Sequence, residues 1–419
     1  MTTGRTLLAI ATTAITTLIV TMSSASATTL PPLPLPPLPD TSLTQSDFYV
    51  PPSPLPHGRP GDLLKAEPIT SALYPEARAT RIMYLSRSAR GAAVAVTGVL
   101  LTPLLQGPGE NNPLIVHAPG TRGLGDHCAP SKQVALATLN ATSADYATLE
   151  HHRFLSKGVS VVITDYLGQG TPGLPEYLVG SSEGRNTLDA LRAAQQVENT
   201  GLSEQSPVGI SGYSQGGQAA AWAAELQPRY APELNLRGVL AGGVPTDMWA
   251  EVNHLSGNPV GSGFAIATLV GLDTAYPDLA LASRLTADGS AAVGKVKESC
   301  FAEEAAAFGT MSISDITRPD VLADSSWHRA YDRSLLGTRK PGSAAYVYHT
   351  TSDTVVPFSH GQQLYAGWCA AGADVTFEKI VGLEHVAGAA LTSPAGIAWL
   401  TDRLHGEPVE TGCRVSSTP

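Results

Sequence analysis

The stretch ISGYSQGGQAAAW (residues 210–222) places Ser214 between Gly212 and Gly216. An apolar run before it and an alanine-rich run after it predict a strand, a tight turn and a helix. Glycine and serine also cluster in ordinary turns, which is one interpretation. The other is a nucleophile elbow, a strained strand-to-helix turn that exposes a serine hydroxyl above a sheet. The order of the surrounding elements distinguishes the two.

Buried-strand patterns alternate with helical patterns between residues 112 and 243. The strand patterns are PLIVHAPG (113–120), GVSVVITDYLG (158–168), SPVGIS (206–211) and LRGVLAGGVP (236–245), and the helical patterns are EGRNTLDALRAAQQV (183–197) and QGGQAAAWAAELQ (215–227). This alternation predicts βαβ units, and therefore a mostly parallel sheet with helices on both faces.

The alternation stops at Pro245. Residues 246–340 show no clear strand pattern, and strand patterns resume in SAAYVYHTTSD (343–353) and ADVTFEKIVGLEH (373–385). A helix, SPAGIAWLTDRL (393–404), is predicted to close the chain. We therefore predict an α/β fold of the α/β-hydrolase type, with a core formed by residues 47–245 and 341–419 and a mainly helical cap or lid at 246–340.

The N-terminus carries the pattern of a signal peptide (residues 1–27). Arg5 precedes an apolar run at 7–20, and Ala25-Ser26-Ala27 is a small-residue cleavage site. A membrane-spanning helix needs roughly 20 apolar residues, so we expect cleavage, secretion and no transmembrane segment in the mature protein. The proline-rich residues 28–46 predict an extended tether.

The overall charge narrows the class of partner. The 419 residues carry a formal net charge of −10 and are 43% hydrophobic, which is typical of a soluble globular protein. An acidic chain without a basic cluster argues against nucleic acid as a partner.

Two polar residues follow the last two strand patterns. Asp353 lies just past AAYVYHT, and His385 lies in VGLEHVAGA, just past the strand predicted in residues 373–385. A serine nucleophile needs an adjacent base, which in turn needs a group that orients it. Ser214, Asp353 and His385 occur in the chain order nucleophile, acid, base that α/β hydrolases use. The alternative is that Asp353 forms a turn and His385 is an isolated loop residue.

Other residues compete for these roles. Gly180-Ser181-Ser182-Glu183-Gly184 also matches Gly-x-Ser-x-Gly, but TPGLPEYLV before it contains two prolines and no clean strand. Ser181 or Ser182 is predicted to cap the following helix instead. His349 lies within the strand pattern 343–353 and is predicted to be a buried sheet residue. His360 lies after that pattern, at a predicted helix start.

An oxyanion needs hydrogen-bond donors close to the nucleophile. The backbone N–H of Gln215, at the predicted helix N-terminus, is the first candidate. Thr121 in PGTRG, after the strand pattern 113–120, is the second. Alternatively, Gly120 and Gly123 only form a tight turn there.

The chain has four cysteines: Cys128, Cys300, Cys369 and Cys413. An even number in an exported chain favours disulfides, and four cysteines allow three pairings. No CxxC or HExxH pattern occurs, so we predict no metal site. The predicted chemistry needs no cofactor.

Five segments resemble the secretory lipase family, and the resemblance extends from about residue 47 to the C-terminus. They are HAPGTRGLGDHCAPS, YLVGSSEGRNTLDALRAA, GYSQGGQAAAW, TTSDTVVP and GLEHVAG. The resemblance implies a lidded α/β-hydrolase fold with Ser214 as nucleophile, Asp353 as acid and His385 as base. It also implies disulfides between Cys128 and Cys300 and between Cys369 and Cys413.

The sequence thus predicts a secreted serine ester hydrolase that acts on lipids or small esters, and a triacylglycerol lipase in particular. A short-chain carboxylesterase, a secreted serine peptidase and a noncatalytic binding protein on the same fold are the alternatives. The apolar run GSGFAIATLVGL (261–272) has two interpretations. It lines an acyl tunnel or meets a lipid–water interface, or it is an ordinary buried helix of the cap.

Overall fold

The computed structural model describes residues 46–105, 109–136, 147–390 and 394–418. The predicted signal peptide (1–27), and the predicted tether up to residue 45, lie outside these described residues. Within them, no single helix has both the length and the apolar composition to cross a membrane. Only the pair Ser262–Ala275 and Pro277–Ser283, bent by 113°, passes that test of length and composition.

The described residues contain a ten-stranded sheet. Its strands are β1 (Leu63–Ile69), β2 (Ala77–Arg87), β3 (Ala93–Pro103), β4 (Leu114–Ala118), β5 (Ser160–Thr164), β6 (Val208–Tyr213), β7 (Leu236–Gly242), β8 (Ala345–Thr350), β9 (Val375–Ile380) and β10 (Cys413–Thr418). They lie in the order β1-β2-β3-β5-β4-β6-β7-β8-β9-β10. The first three strands are antiparallel, β3 meets β5 antiparallel, and every later pairing is parallel.

Helices connect the parallel strands. The α-helices are α1 (Pro130–Leu136), α2 (Thr148–Ser156), α3 (Gly180–Ala194), α4 (Gln215–Tyr230), α5 (Met248–Leu255), α6 (Ser262–Ala275), α7 (Ala287–Val296), α8 (Phe301–Ala306), α9 (Ile313–Ile316), α10 (Ser325–Tyr331), α11 (Phe358–Ala370), α12 (His385–Ala390) and α13 (Pro394–Leu404). This mostly parallel sheet, flanked by helices, is the predicted α/β-hydrolase fold class.

The central strands are buried on both faces. Val116 and Ile210 belong to a hydrophobic cluster with α3 and α4, whereas Ile115 belongs to a second cluster with α2 and α13. Successive side chains of a strand point to opposite faces, so neighbouring residues enter different clusters. This burial explains why the central strands appear in the sequence as continuous apolar runs.

Two ends of the sheet differ from the prediction. Strands β1 to β3 were not predicted, and α13 does not close the chain, because β10 follows it and pairs in parallel with β9. The sequence of β10, CRVSST, is largely exposed and polar, so it carries no hydrophobic strand pattern. Backbone hydrogen bonds to β9 and a disulfide between Cys369 and Cys413 hold it in place.

The cap of α3 also differs from the prediction. The helix begins at Gly180, its N-cap residue is Val179, and no side chain caps it. Ser182 is fully buried within the first turn instead. Tertiary packing therefore places Ser182 in the interior, and the helix begins without a serine cap.

The segment between β7 and β8 contains α5 to α10, which we call the inserted helices. They share a hydrophobic cluster that includes Val252, Ile266 and Trp327. Helix α6 is buried on almost every side, with residues such as Leu269 fully inaccessible. Most of the apolar run at 261–272 therefore belongs to the interior, and Phe264 alone among its residues reaches the cavity described below.

We predict that the double substitution Cys369→Ser and Cys413→Ser lowers the free energy of unfolding by about 2–4 kcal/mol, because the lost cross-link frees a long loop in the unfolded chain. Urea denaturation followed by circular dichroism measures the change. Ser417→Ala, on an exposed position of β10, is the control and should stay within about 0.5 kcal/mol. An unchanged unfolding midpoint in the double variant would contradict the prediction.

Candidate active site

Ser214 lies at the junction of β6 and α4, at the carboxyl edge of the parallel sheet. Its backbone has φ +60° and ψ −123°, which is sparsely populated for a residue with a side chain. The backbone N–H of Ser214 donates to the Gly242 carbonyl on β7 at 3.0 Å. The turn thus has the strained strand-to-helix geometry of a nucleophile elbow.

The glycines around Ser214 permit this turn because backbone atoms crowd each of them. A Cβ atom on Gly212 would lie 2.1 Å from the Gly216 carbonyl oxygen, and one on Gly216 would lie 1.9 Å from that of Ala118. A Cβ atom on Gly217 would lie 2.3 Å from the Gly242 oxygen. These contacts are too short for real Cβ atoms, so α4 can begin this close to the sheet only with glycine.

A chain of hydrogen bonds joins the three predicted residues. His385 Nε2 lies 2.9 Å from Ser214 Oγ, and His385 Nδ1 lies 2.6 Å from Asp353 Oδ2. The Tyr213 hydroxyl donates to the His385 carbonyl oxygen at 3.0 Å, which fixes the start of α12 beside β6. The structure therefore brings together residues that are 139 and 32 positions apart in the sequence.

Asp353 is held by neighbours on several sides. Its Oδ1 accepts from the backbone N–H groups of Val355 at 3.0 Å and Val356 at 2.8 Å. Burial by itself would raise the pKa of this carboxyl. Hydrogen bonds from His349 and His385 lower the pKa by more than burial raises it, so the net pKa lies well below its usual range. Asp353 is therefore ionised across the neutral pH range.

His349 has a contact that sequence reasoning missed. It lies in β8 and is fully buried, as predicted for a sheet residue. Its Nε2 lies 2.9 Å from the Val356 carbonyl oxygen and also 3.3 Å from Asp353 Oδ2. The strand pattern carries no signal for this contact, because the turn after β8 is what brings Asp353 back toward His349.

His360 and Glu251 form a second buried pair near the site. His360 Nδ1 accepts from the backbone N–H of Thr246 at 3.0 Å, and its Nε2 lies 3.5 Å from a carboxylate oxygen of Glu251. Burial lowers the pKa of His360 to about 4. Burial, with the charges of Asp353 and Asp247, raises the pKa of Glu251 well above its usual value. His360 is therefore neutral near pH 7, and the surroundings of Glu251 favour its neutral form.

The candidate nucleophile, base and oxyanion residues line one cavity. It contains about 610 Å³ of empty space, part of it open to solvent. Ser214, His385, Gln215 and Thr121 face it. Apart from Tyr177 and Glu251, the rest of its lining is apolar: Leu178, Pro245, Leu255, Val260, Phe264, Phe301, Val355, Val356, Val386 and Ala389. The hydroxyls of Thr121 and Tyr177, which also lines the cavity, share a hydrogen bond of 2.7 Å.

A disulfide between Cys128 and Cys300 joins the loop of Thr121 to the inserted helices. Gly123 and Cys300 also form an isolated antiparallel bridge, and a Glu304 carboxylate oxygen accepts from the Leu124 N–H at 3.2 Å. His127 lies close to both sulfur atoms. Sulfur atoms joined in a disulfide are not thiolates, so this group of residues does not have the donor chemistry of a metal site.

The sheet order and the loops at its carboxyl edge define an α/β hydrolase. Solved structures with the same fold include the two that follow. Candida antarctica lipase A in its closed state has a TM-score of 0.80 and 22% identity, covering 89% of this chain and 88% of that chain. A rice cell wall degrading esterase, LipA of Xanthomonas oryzae, has a TM-score of 0.67 and 21% identity, covering 83% of this chain and 99% of that chain.

The chain belongs to the secretory lipase family, whose model matches residues 133–412. Among its relatives, a secreted triacylglycerol lipase (LIP4) of Malassezia globosa is 26% identical over 391 residues, 88% of this chain and 83% of the relative. Lipase 10 of Candida albicans is 28% identical, over 89% of this chain and 84% of the relative. A Mycobacterium tuberculosis protein named a probable inactive lipase is also 28% identical, over 88% of this chain and 84% of the relative. The protein is a carboxylic ester hydrolase, and its family implies a lipid or ester substrate.

We predict that Gly216→Ala lowers the free energy of unfolding by about 1–3 kcal/mol, because the new Cβ meets backbone that cannot yield. Thermal and urea denaturation measure the loss. Gly294→Ala is the matched control, since that exposed position of α7 has no atom within 4 Å of an added Cβ. Alanine favours the helix there by up to about 1 kcal/mol. A Gly216→Ala variant as stable as Gly294→Ala would contradict the packing argument.

Proposed function

We propose that this protein is a secreted triacylglycerol lipase that hydrolyses acyl esters through Ser214, Asp353 and His385. The observation that carries the proposal is the hydrogen-bonded chain from Ser214 through His385 to Asp353, at the wall of a mostly apolar cavity. The N-terminal signal pattern and the relatives named as secreted lipases support secretion.

The proposed reaction transfers an acyl group to Ser214 and then to water. His385 Nε2 accepts the proton of Ser214 Oγ while that oxygen attacks the ester carbonyl. The tetrahedral intermediate collapses, the bond to the alcohol breaks, and His385 returns the proton to the departing alcohol. A water molecule then repeats these steps on the acyl-enzyme and releases the carboxylic acid.

Asp353 supports the base in this scheme. An ionised carboxylate at 2.6 Å from His385 Nδ1 keeps the proton on that nitrogen, and so leaves Nε2 free to accept from Ser214. It also stabilises the imidazolium that forms during the attack. The contact of His349 with the same carboxylate oxygen favours the ionised state that this role requires.

The oxyanion requires donors that are in place before the reaction. We propose the backbone N–H of Gln215, the first residue of α4, and the Thr121 loop for this role. Both residues line the cavity beside Ser214, and the helix N-terminus adds a favourable dipole. Removing one such donor typically reduces kcat about 10²–10³-fold.

The lining of the cavity supports an apolar acyl chain as substrate. Val260 and Val386 line it and are also 49% and 41% exposed, so the cavity reaches the surface between apolar side chains. An apolar rim of this kind suits contact with a lipid–water interface. We propose that residues 246–340 act as a cap over a core formed by 47–245 and 341–419, because Leu255, Val260, Phe264 and Phe301 line the same cavity as Ser214 and His385.

We predict that Ser214→Ala reduces ester hydrolysis at least about 10³-fold while the protein stays folded, since the nucleophile is lost. Hydrolysis of a soluble butyryl ester and labelling by a fluorophosphonate probe measure the effect. Ser182→Ala, in the second Gly-x-Ser-x-Gly pattern, is the control and should keep both activity and labelling. Absence of hydrolysis and of labelling in the parent protein would instead support a noncatalytic role.

We predict that activity on emulsified long-chain triacylglycerol exceeds activity on soluble short esters, and that Val260→Asp lowers the former about ten-fold or more, because a charge at the rim disfavours contact with lipid. The ratio of the two activities is the measurement. Val415→Asp is the matched control, since Val415 is equally exposed, at 49%, but lies on the edge strand β10. Activity confined to soluble short esters would identify a carboxylesterase.

A further inference from the structure

A buried carboxyl lies behind the two candidate oxyanion donors. Glu183 belongs to the first turn of α3 and is 2% exposed. Its Oε1 accepts from the side-chain amide of Gln215 at 2.7 Å and from the backbone N–H of Leu178 at 2.9 Å. Its Oε2 is buried and has no hydrogen-bond partner among the described residues.

These two hydrogen bonds connect Glu183 with Gln215 and with the segment next to Thr121. Gln215 follows Ser214 and carries the first candidate donor. Leu178 has an unfavourable positive φ of 57°, and its neighbour Tyr177 shares a hydrogen bond with Thr121, the second candidate. One carboxyl oxygen thus connects the helix that carries Gln215 with the segment that holds Thr121.

We propose that Glu183 is a positioning residue for the oxyanion hole, which it holds together through Gln215 and the Tyr177–Leu178 segment. The inference rests on the proposed function of Ser214. Because Glu183 acts through other residues, it touches neither the substrate nor the reacting atoms.

The surroundings of Glu183 favour its neutral form. Tyr166, Tyr177 and Glu176 are the other titratable side chains that line the space around it, beside the neutral Gln169, Ser182, Asn186 and Gln215. No cationic side chain among the described residues lines that space. Burial, with a smaller contribution from the charge of Glu176, raises the pKa of Glu183 to about 8.

The protonation state of Glu183 has a consequence for catalysis. Above about pH 8, Glu183 ionises and places a negative charge beside Gln215, where the oxyanion also develops. The ester in the ground state is neutral, so the repulsion acts on the transition state and lowers kcat with little change in KM. We therefore expect kcat to fall about ten-fold or more between pH 7 and pH 10.

The test is the pH profile of kcat and KM for a soluble butyryl ester, in the full-length protein and in three variants. Glu183→Gln keeps an acceptor for Gln215 and Leu178 but cannot ionise, so it should retain activity near pH 7 within a few-fold and lose the alkaline decline. Glu183→Ala removes the acceptor, and its kcat should fall about ten-fold or more at every pH.

Glu176→Gln is the matched control. Glu176 is a buried carboxyl of the same region whose pKa is also raised by burial, but its hydrogen bond goes to the Ala89 N–H at 2.8 Å. This variant should keep the alkaline decline, at a somewhat lower pH, because Glu176 no longer raises the pKa of Glu183. Thermal denaturation of each variant at pH 7 shows whether a loss of kcat reflects misfolding.

The outcomes separate this inference from the proposed function. An alkaline decline that persists unchanged in Glu183→Gln, or a parental kcat in folded Glu183→Ala, overturns the role of Glu183 and leaves the lipase proposal intact. A parent protein that hydrolyses no ester overturns both. Loss of the decline in Glu183→Gln alone supports the proposed role.

Discussion

The close approach of α4 to the sheet is the constraint on which the rest of the site depends. Ser214 can occupy its strained conformation only because Gly212, Gly216 and Gly217 leave the carbonyls of Ala118 and Gly242 room to pack against the turn. The strain is held by the hydrogen bonds and packing of buried strands on either side. The same approach sets Gln215, as the first residue of the helix, beside the serine hydroxyl.

The carboxyl groups near the site illustrate how neighbours decide protonation. Asp353 faces two histidines and two backbone N–H groups, so it is ionised although buried. Glu183 and Glu251 are more deeply buried, but Glu183 accepts from amide groups and Glu251 faces the neutral His360, and their pKa values are raised. Carboxyl groups thus supply a negative charge beside His385 at Asp353, whereas the raised pKa values of Glu183 and Glu251 favour their neutral forms.

Local patterns predicted much of this arrangement. The central strands β4 to β9 and the helices α3, α4 and α13 follow from apolar periodicity, because parallel strands are buried on both faces and flanking helices on one. Strand β10 escaped prediction because its polar, exposed residues leave no such pattern. The cap of α3 was assigned to a serine, whereas packing places that serine in the interior.

The sequence by itself determined the fold class, the turn at Ser214 and the order in which Ser214, Asp353 and His385 follow the strands, since these depend on residue type and on near neighbours in the chain. Tertiary structure alone decided that His349 contacts Asp353 and that Glu183 joins Gln215 to Leu178. It also decided which apolar residues of the inserted helices reach the cavity. Such contacts depend on distances across the fold, and no periodicity in the chain encodes them.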